Sequence, residues 1–372
     1  MTIIIDRPDS RQDRFPGAPG TPGAPGAPGA PGASADSGPT GDPTGAPTVE
    51  TAERTGVPEG AKPVGTAVSP AETKVESCIG DVAEWQGREI RYSPVTGGLQ
   101  NSNWRIDVTG DPVAYFLKVP GEGTEDFIDR GNSHVAARRA GDLGISPRIV
   151  HFDPATGVEV IEFLEGYRAC TNSDMKRWEI AENVLHLQNQ FHTVDALPLT
   201  KTIFDLIDEH LDQVREHNVP LPGFATSLLR EYANAREAFR ASGLDIVPCH
   251  NDPMPGNFLI RDGQPMKLVD FEFASNNERA YDLAVTFTEF FFDEPTVIRC
   301  IEEVYGAATR DVLSRCFVAS ALADLKWGLW GCVNHSLNTE WDFDYHKYGV
   351  WKLARARDRT ADRRWGRWLH AL

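Results

Sequence analysis

The chain has 372 residues, 41% of them hydrophobic and 9% aromatic, with a formal net charge of −17 at pH 7. That length allows two lobes and a real core, and the acidic balance argues against a nucleic-acid binder, which carries a basic face. Six scattered cysteines without a CxxC pair, no visible signal peptide and no apolar run of membrane-span length lead to the expectation of a cytoplasmic chain with free thiols.

Residues 1–74 read as a disordered tail. Gly17, Gly20, Gly23, Gly26, Gly29 and Gly32 recur every third residue, but the triplets are too few to carry a collagen trimer, and aperiodic Ser/Thr/Pro/Gly follows. Folded structure is expected from about residue 75, where "AETKVESCIGDVAEW" has helical spacing. "REIRYSPV" reads as a strand, and "NWRIDVTG" and "VAYFLKVP" as a hairpin around "GDP". "EDFIDRGNSHVAARRAGDLG" reads as a helix stopped by Gly141 or Gly144, and "PRIVHFD" and "GVEVIEFLEG" as two strands turned by "PATG".

Helices then dominate: "DMKRWEIAENVLHLQNQFHTVDA", 202–217, 222–241, 279–292, 296–306, 309–335 and 344–370. The basic run "RARDRTADRRWGRW" reads as a solvated helix face. The fold class is therefore α+β, with a small antiparallel sheet lobe over 75–165 and a larger, mostly helical lobe over 166–372. A cleft between two such lobes is a normal ligand site.

The helical part is interrupted by "VPCHNDPMPGNFLIRDGQPMKLVDFEFAS", residues 247–275, which reads as a β-hairpin crowded with acids and amides at one end. His250, Asp252 and Asn257 have the form H-x-D-x-x-x-x-N, and the second strand ends at Asp270 and Glu272. Phosphoryl transfer needs these parts: one carboxylate to orient the attacking hydroxyl and take its proton, and an amide plus a second carboxylate to hold Mg²⁺. On that reading Asp252 is the base, Asn257 and Asp270 are the metal ligands, and His250 braces the loop.

Further parts are then expected upstream. "VTGGLQNSN" offers Gly97, Gly98 and Asn101 as a phosphate-covering loop between strands. Lys118, a single cation at the end of an apolar run, is the expected phosphate contact of ATP. Backbone groups around Glu162 and Leu164 are placed to meet an adenine edge. Downstream, Arg279 and Asp282 read as structural support at the start of a helix.

"CHNDPMPGN", "LVDFEFASNNERAYDLAVTFTEF" and "DLKWGLWGCVNHSLNTEWDFDYHKYGVWKL", together with "TGGLQNSN" and "FIDRGNSHVAARRAGDLGISP", resemble the choline/ethanolamine kinase family. That family belongs to the wider group of aminoglycoside phosphotransferases and protein-kinase-like enzymes. The resemblance spans about residues 75–360 and implies a two-lobed protein-kinase-like fold and Mg²⁺- and ATP-dependent phosphorylation of a small amino alcohol. It carries over Asp252 as base and Asn257 and Asp270 as metal ligands, with Glu272 in support. It also implies that Trp327, Trp330, Phe343, Tyr345, Tyr348 and Glu289 surround a cationic substrate head. The three-residue spacing of the tryptophans puts both on one helical face, where indoles hold a quaternary ammonium by cation–π attraction.

Two departures stand out. Ser133 occupies the position of the helix Glu that pairs with the phosphate-binding Lys in the family, and Asp129, four residues earlier, is the candidate to replace it. Near the expected substrate pocket, Val285 and Thr286 stand where the family has "NH", and Glu294 stands where it has an aromatic. An extra acid suits a primary amine better than choline. An antibiotic- or thiamine-type kinase and a catalytically silent kinase-fold binder are the alternatives.

Overall fold

The computed structural model describes residues 56–96, 101–121, 128–337 and 343–372. The glycine pair Gly97 and Gly98 lies outside the described residues, as do residues 1–55 of the Pro/Gly segment.

The chain opens with β1 (Lys62–Pro63) and α1 (Pro70–Asp81). Ser69 caps α1, its hydroxyl accepting from Glu72 N at 3.2 Å, and Pro70 supplies the fixed φ of a first helical turn. β1 lies inside, and α1 begins inside, the segment 1–74 whose sequence reads as a disordered tail. Lys62 pairs with Tyr92, so folded structure begins well before residue 75.

There follow β2 (Ile90–Pro94), β3 (Asn101–Val108), β4 (Tyr115–Pro120), α2 (Arg130–Asp142), β5 (Ile149–Phe152) and β6 (Glu159–Glu162). The strands make an antiparallel sheet in the order β1-β2-β3-β4-β6-β5. One face buries Ile106, Val108, Leu117, Val119 and Val160 against Trp85, Tyr92 and the Val75/Ile79 face of α1. On α2, Ala136 and Ala140 pack on Phe258, Leu268 and Phe271 instead, so this helix joins the sheet to the hairpin beyond it.

The helical part comprises α3 (Trp178–Phe191), α4 (Ile203–Glu216), α5 (Ala225–Ser242), α6 (Arg279–Glu289), α7 (Glu294–Tyr305), α8 (Arg310–Leu337), α9 (Tyr345–Thr360) and α10 (Trp365–Leu369). Among these run β7 (Arg168–Ala169), β8 (Ile246–Cys249), β9 (Phe258–Ile260), β10 (Lys267–Leu268) and β11 (Ser275–Glu278). The expected hairpin is β9 with β10, registering Leu259 against Lys267. β8 pairs separately with β11, registering Cys249 against Ser275.

α8 is the axis of the core. Contrary to the expectation from sequence, it is long and apolar enough by composition to cross a membrane, but that stretch is 89% buried in the protein. A helix apolar on every side is what a central core position requires. It meets α9 closely at two glycines: a Cβ at Gly331 would lie 2.7 Å from the Gly349 Cα.

The C-terminal segment departs from its sequence reading in two ways. The single helix expected over 344–370 is broken between α9 and α10, where Asp362 accepts from the backbone N–H of Arg364 at 2.7 Å. The basic run is also not simply a solvated face. Arg355 and Arg359, with Lys352 before them, converge on buried Asp324 at 3.1, 3.3 and 3.4 Å.

Candidate active site

The loop after β8 carries His250, Asn251 and Asp252, all buried. Asn251 adopts a left-handed φ of 66°, which turns the chain sharply there. Its N–H donates to Asp282 Oδ1 at 2.7 Å, and its side-chain amide donates to Phe273 O and Ser275 Oγ, both at 2.8 Å. Asp282, in the first turn of α6, also bonds His192 Nε2 at 2.9 Å and is held below the usual carboxylate range by that contact and the loop amide, although burial works the other way. His250 Nε2 meets Val269 O at 3.0 Å, which ties the loop to the residue before Asp270. Arg279 lies apart from these groups, bonded to Asp245 at 2.8 Å.

Asn257 reaches back to Asp252, donating to its backbone oxygen at 2.8 Å and lying 3.4 Å from its Oδ2. The other amide atom, Asn257 Oδ1, is buried with no hydrogen-bond partner among the described residues. A buried acceptor without a donor is costly and marks a place for a cation or water. Asp270 also has a left-handed φ, 71°, a conformation that a non-glycine residue holds at a cost and that recurs at functional sites.

Four of the residues singled out in the sequence meet across the sheet. Lys118 Nζ lies 3.0 Å from Asp270 Oδ1 and 2.5 Å from Glu272 Oε1, and Asn101 Nδ2 donates to the same Glu272 oxygen at 2.8 Å. Burial alone would raise the Asp270 pKa, but the Lys118 ammonium holds it well below the usual carboxylate range. Asp252 behaves oppositely: burial, with repulsion from Asp270, pushes it up to about 7. Glu162 ends β6, and Leu164 packs against the small apolar cluster of Tyr167, Leu259 and Val269.

Asp129 is not the partner of Lys118. It is the N-cap of α2, its Oδ1 accepting from Asn132 N at 2.9 Å, so its carboxylate is committed to the helix end. Besides Asp270 and Glu272, the acid that shares the cleft with Lys118 and Ser133 is Glu159, which registers directly opposite Lys118 on β6 and has His134 Nδ1 at 3.5 Å. Sequence reasoning missed Glu159 because strand pairing, not chain proximity, brings it there. It missed Asn132 too, whose side chain ties α2 to Ala274 O at 2.7 Å.

The aromatic residues of α8 and α9 gather with Phe343 into one cluster. The rings of Trp327 and Trp330 lie 5.5 Å apart, those of Trp330 and Tyr345 5.4 Å, and those of Trp330 and Tyr348 5.9 Å. Phe343 lies 4.8 Å from Tyr345. Glu289 is ion-paired to Lys352. Glu294 is not an added acid at this cluster. It begins α7 and is held by Arg364 at 2.7 and 2.9 Å. Val285 and Thr286 are core residues of α6, with the Thr286 hydroxyl on Gln188 at 2.8 Å.

A family model described as choline/ethanolamine kinase matches residues 92–310. A probable choline kinase 2 of Arabidopsis thaliana is 23% identical over 316 residues, spanning 75% of this chain and 89% of its own length. The choline/ethanolamine kinase of Homo sapiens is 24% identical over 229 residues, 56% of each chain, so the match spans little more than half of that relative. Among solved structures, a choline/ethanolamine kinase family protein from Mesorhizobium loti superposes with a TM-score of 0.70 at 27% identity, covering 81% of this chain and 98% of its own. The choline kinase LicA of Streptococcus pneumoniae gives 0.65 at 22%, covering 79% and 99%, a likeness of fold.

Proposed function

This chain belongs to the choline/ethanolamine kinase family, and from that premise we propose that it moves the γ-phosphoryl group of ATP to the hydroxyl of a small alcohol seated beside Asp252. The observation that carries this reading is the convergence of buried Asp252 and Asn257 with half-buried Asp270, which is salt-bridged to Lys118. The amino alcohols named for the relatives, choline and ethanolamine, are the first acceptors to test.

Asp252 takes the proton of the attacking hydroxyl. Its raised pKa, from burial and the Asp270 charge, makes it a better proton acceptor than an exposed carboxylate. Asn257 Oδ1 and the Asp270 carboxylate fit Mg²⁺, which takes oxygen ligands, and the unpartnered amide oxygen supports this assignment. When bound, the ion supplies neutralisation of phosphate charge. Lys118 is held toward that place by Asp270 and Glu272, and Glu159 stands in for the acid missing at Ser133. Asn101, together with Gly97 and Gly98, covers the phosphates, and the backbone at Glu162–Leu164 meets the adenine. His250, Asn251 and Asp282 fix the angle of the catalytic loop and touch no substrate.

The test is ADP release with Mg²⁺ and ATP over choline, ethanolamine, their methylated intermediates, thiamine and kanamycin, with Asp252→Asn as blank. Saturable turnover above the blank supports the proposal. Equal ADP release by wild type and blank with every acceptor would defeat it.

A further inference from the structure

A series of rings starts beside the catalytic loop. The side-chain amide of Asn251, the residue before Asp252, donates to Phe273 O at 2.8 Å. The Phe273 ring lies 5.6 Å from that of Trp327, and Trp327 lies 5.5 Å from Trp330. Tyr348 stands 5.9 Å from Trp330 and 5.7 Å from Phe343. Lys326 takes the Trp327 ring at 3.1 Å and Lys352 lies 5.5 Å from Tyr348, but among the described residues no cation lies over Trp330 or Phe343. Burial raises the Tyr348 phenol well above its usual value, and the Glu289 and Asp252 charges raise it further, so both carboxylates lie within electrostatic reach of this one ring.

With Asp252 reserved for the hydroxyl, an ammonium on Trp330 and Phe343 finds rings but no uncommitted acid among the described residues. Glu289, at the end of α6, is taken by the buried Lys352 ammonium, which also meets Asp324 Oδ1 at 3.4 Å. Arg355 and Arg359 meet the other Asp324 oxygen at 3.1 and 3.3 Å. These three cations face two carboxylates, and no negative charge is left over for a substrate. Glu294 is held by Arg364 at the start of α7. A primary ammonium carries three N–H donors that water satisfies, and burying them without acceptors is costly. A quaternary ammonium has no N–H to leave unmet, buries its methyl groups and is held by ring faces alone.

Resting on the phosphotransferase reading above, we infer that Lys352 determines acceptor specificity: by occupying Glu289 it makes the site select a quaternary over a primary amino alcohol, with the head on Trp330 and Phe343. Lys352 touches no substrate and acts through the acid that it neutralises. The transfer itself is unchanged: the hydroxyl oxygen bonds to the γ-phosphorus, its proton goes to the Asp252 carboxylate, and ADP leaves with the electron pair of the broken P–O bond. An uncharged side chain in place of Lys352 would hand Glu289 to the N–H groups of a primary ammonium and open the site to it.

The experiment measures initial rates of the full chain with Mg²⁺ and ATP on ethanolamine, N-methylethanolamine, N,N-dimethylethanolamine and choline. The inference expects kcat/KM to rise along this series, with choline at least about tenfold above ethanolamine and the gain mainly in KM. In Lys352→Met the choline-to-ethanolamine ratio is expected to fall at least about tenfold, through a lower KM for ethanolamine, while the KM for ATP holds. Lys352→Arg retains the pairing and is expected to keep the wild-type ratio. A merely structural lysine would lower both acceptors together, so an unchanged ratio in Lys352→Met would overturn the inference. Should that variant not fold, the wild-type methylation series decides alone. Ethanolamine turned over as well as choline, or better, would overturn the inference and leave the kinase reading standing. Turnover of none of the four above the Asp252→Asn blank would also overturn it, and turnover of no acceptor at all would overturn the kinase reading with it.

Discussion

Glu159 faces Lys118 as its directly paired residue across β4 and β6, with both side chains on the cleft that Ser133 also lines. Ser133 of α2 offers only a hydroxyl to that cleft, whereas β6 brings a carboxylate to it, beside the Asp270 and Glu272 that hold the lysine. Directly opposed residues of an antiparallel pair lie on one face within interaction range, so Glu159 is the replacement we propose. Glu159→Gln is expected to raise the KM for ATP about tenfold with little loss of thermal stability. Asp129→Ala, which removes a helix cap, is expected to cost about 1 kcal/mol of stability and leave the KM for ATP near wild type. Paired ATP titrations and melting curves separate the two roles; a larger ATP effect in Asp129→Ala would reverse the assignment.

Asp324 holds Lys352, Arg355 and Arg359 in the core between α8 and α9. Removing a buried acid strands the charges it compensates, at about 3–5 kcal/mol. Asp324→Ala should therefore be among the most destabilising single changes in the helical region, read by chemical denaturation. A loss under about 1 kcal/mol would mean that the arginines find water instead.

Gly331 and Gly349 let α8 and α9 touch backbone to backbone, with 2.7 Å between a notional Gly331 Cβ and the Gly349 Cα. Gly331→Ala would gain helix propensity in an isolated helix. Here it should destabilise by about 1–3 kcal/mol, because the helices must separate. A melting temperature equal to or above wild type would refute this close approach.

His210 is buried on α4, where burial, with the Lys326 charge, pushes it down to about 3 from an ordinary value of 6.5. The unfolded chain takes up this proton below 6.5 and the folded chain does not, so the stability from keeping His210 neutral is complete above 6.5 and is lost as pH falls toward 3. In His210→Asn this component disappears. Stability measured from pH 7 to pH 4 should fall less steeply in the variant than in wild type, and parallel curves would show that His210 titrates normally.

The site was legible where the chain order itself encodes it. His250, Asp252, Asn257, Asp270 and Glu272 fall within one short segment, and the turn between β9 and β10 brings its two ends together. The sheet and the helices followed from periodicity and turn residues for the same local reason. What stayed illegible was non-local. Asp129 looked like a helix-face residue because the start of α2 could be shifted by a turn without offending the pattern, and its capping bond fixes it at the end. Glu294 looked like a pocket acid until α10 brought Arg364 to it. Lys326 was not legible beside two tryptophans, since only the packed structure puts its ammonium over the Phe273 and Trp327 rings.

The measurement closest to the central claim follows the acceptor rather than the nucleotide. The acceptor that turns over is incubated with ATP and Mg²⁺ and its mass is read before and after, for wild type and for Asp252→Asn. The account predicts that the acceptor gains the mass of one phosphoryl group with wild type, in step with ADP, and that the variant yields almost none. ADP formed with the acceptor unchanged, or equal phosphorylation by both proteins, would contradict it.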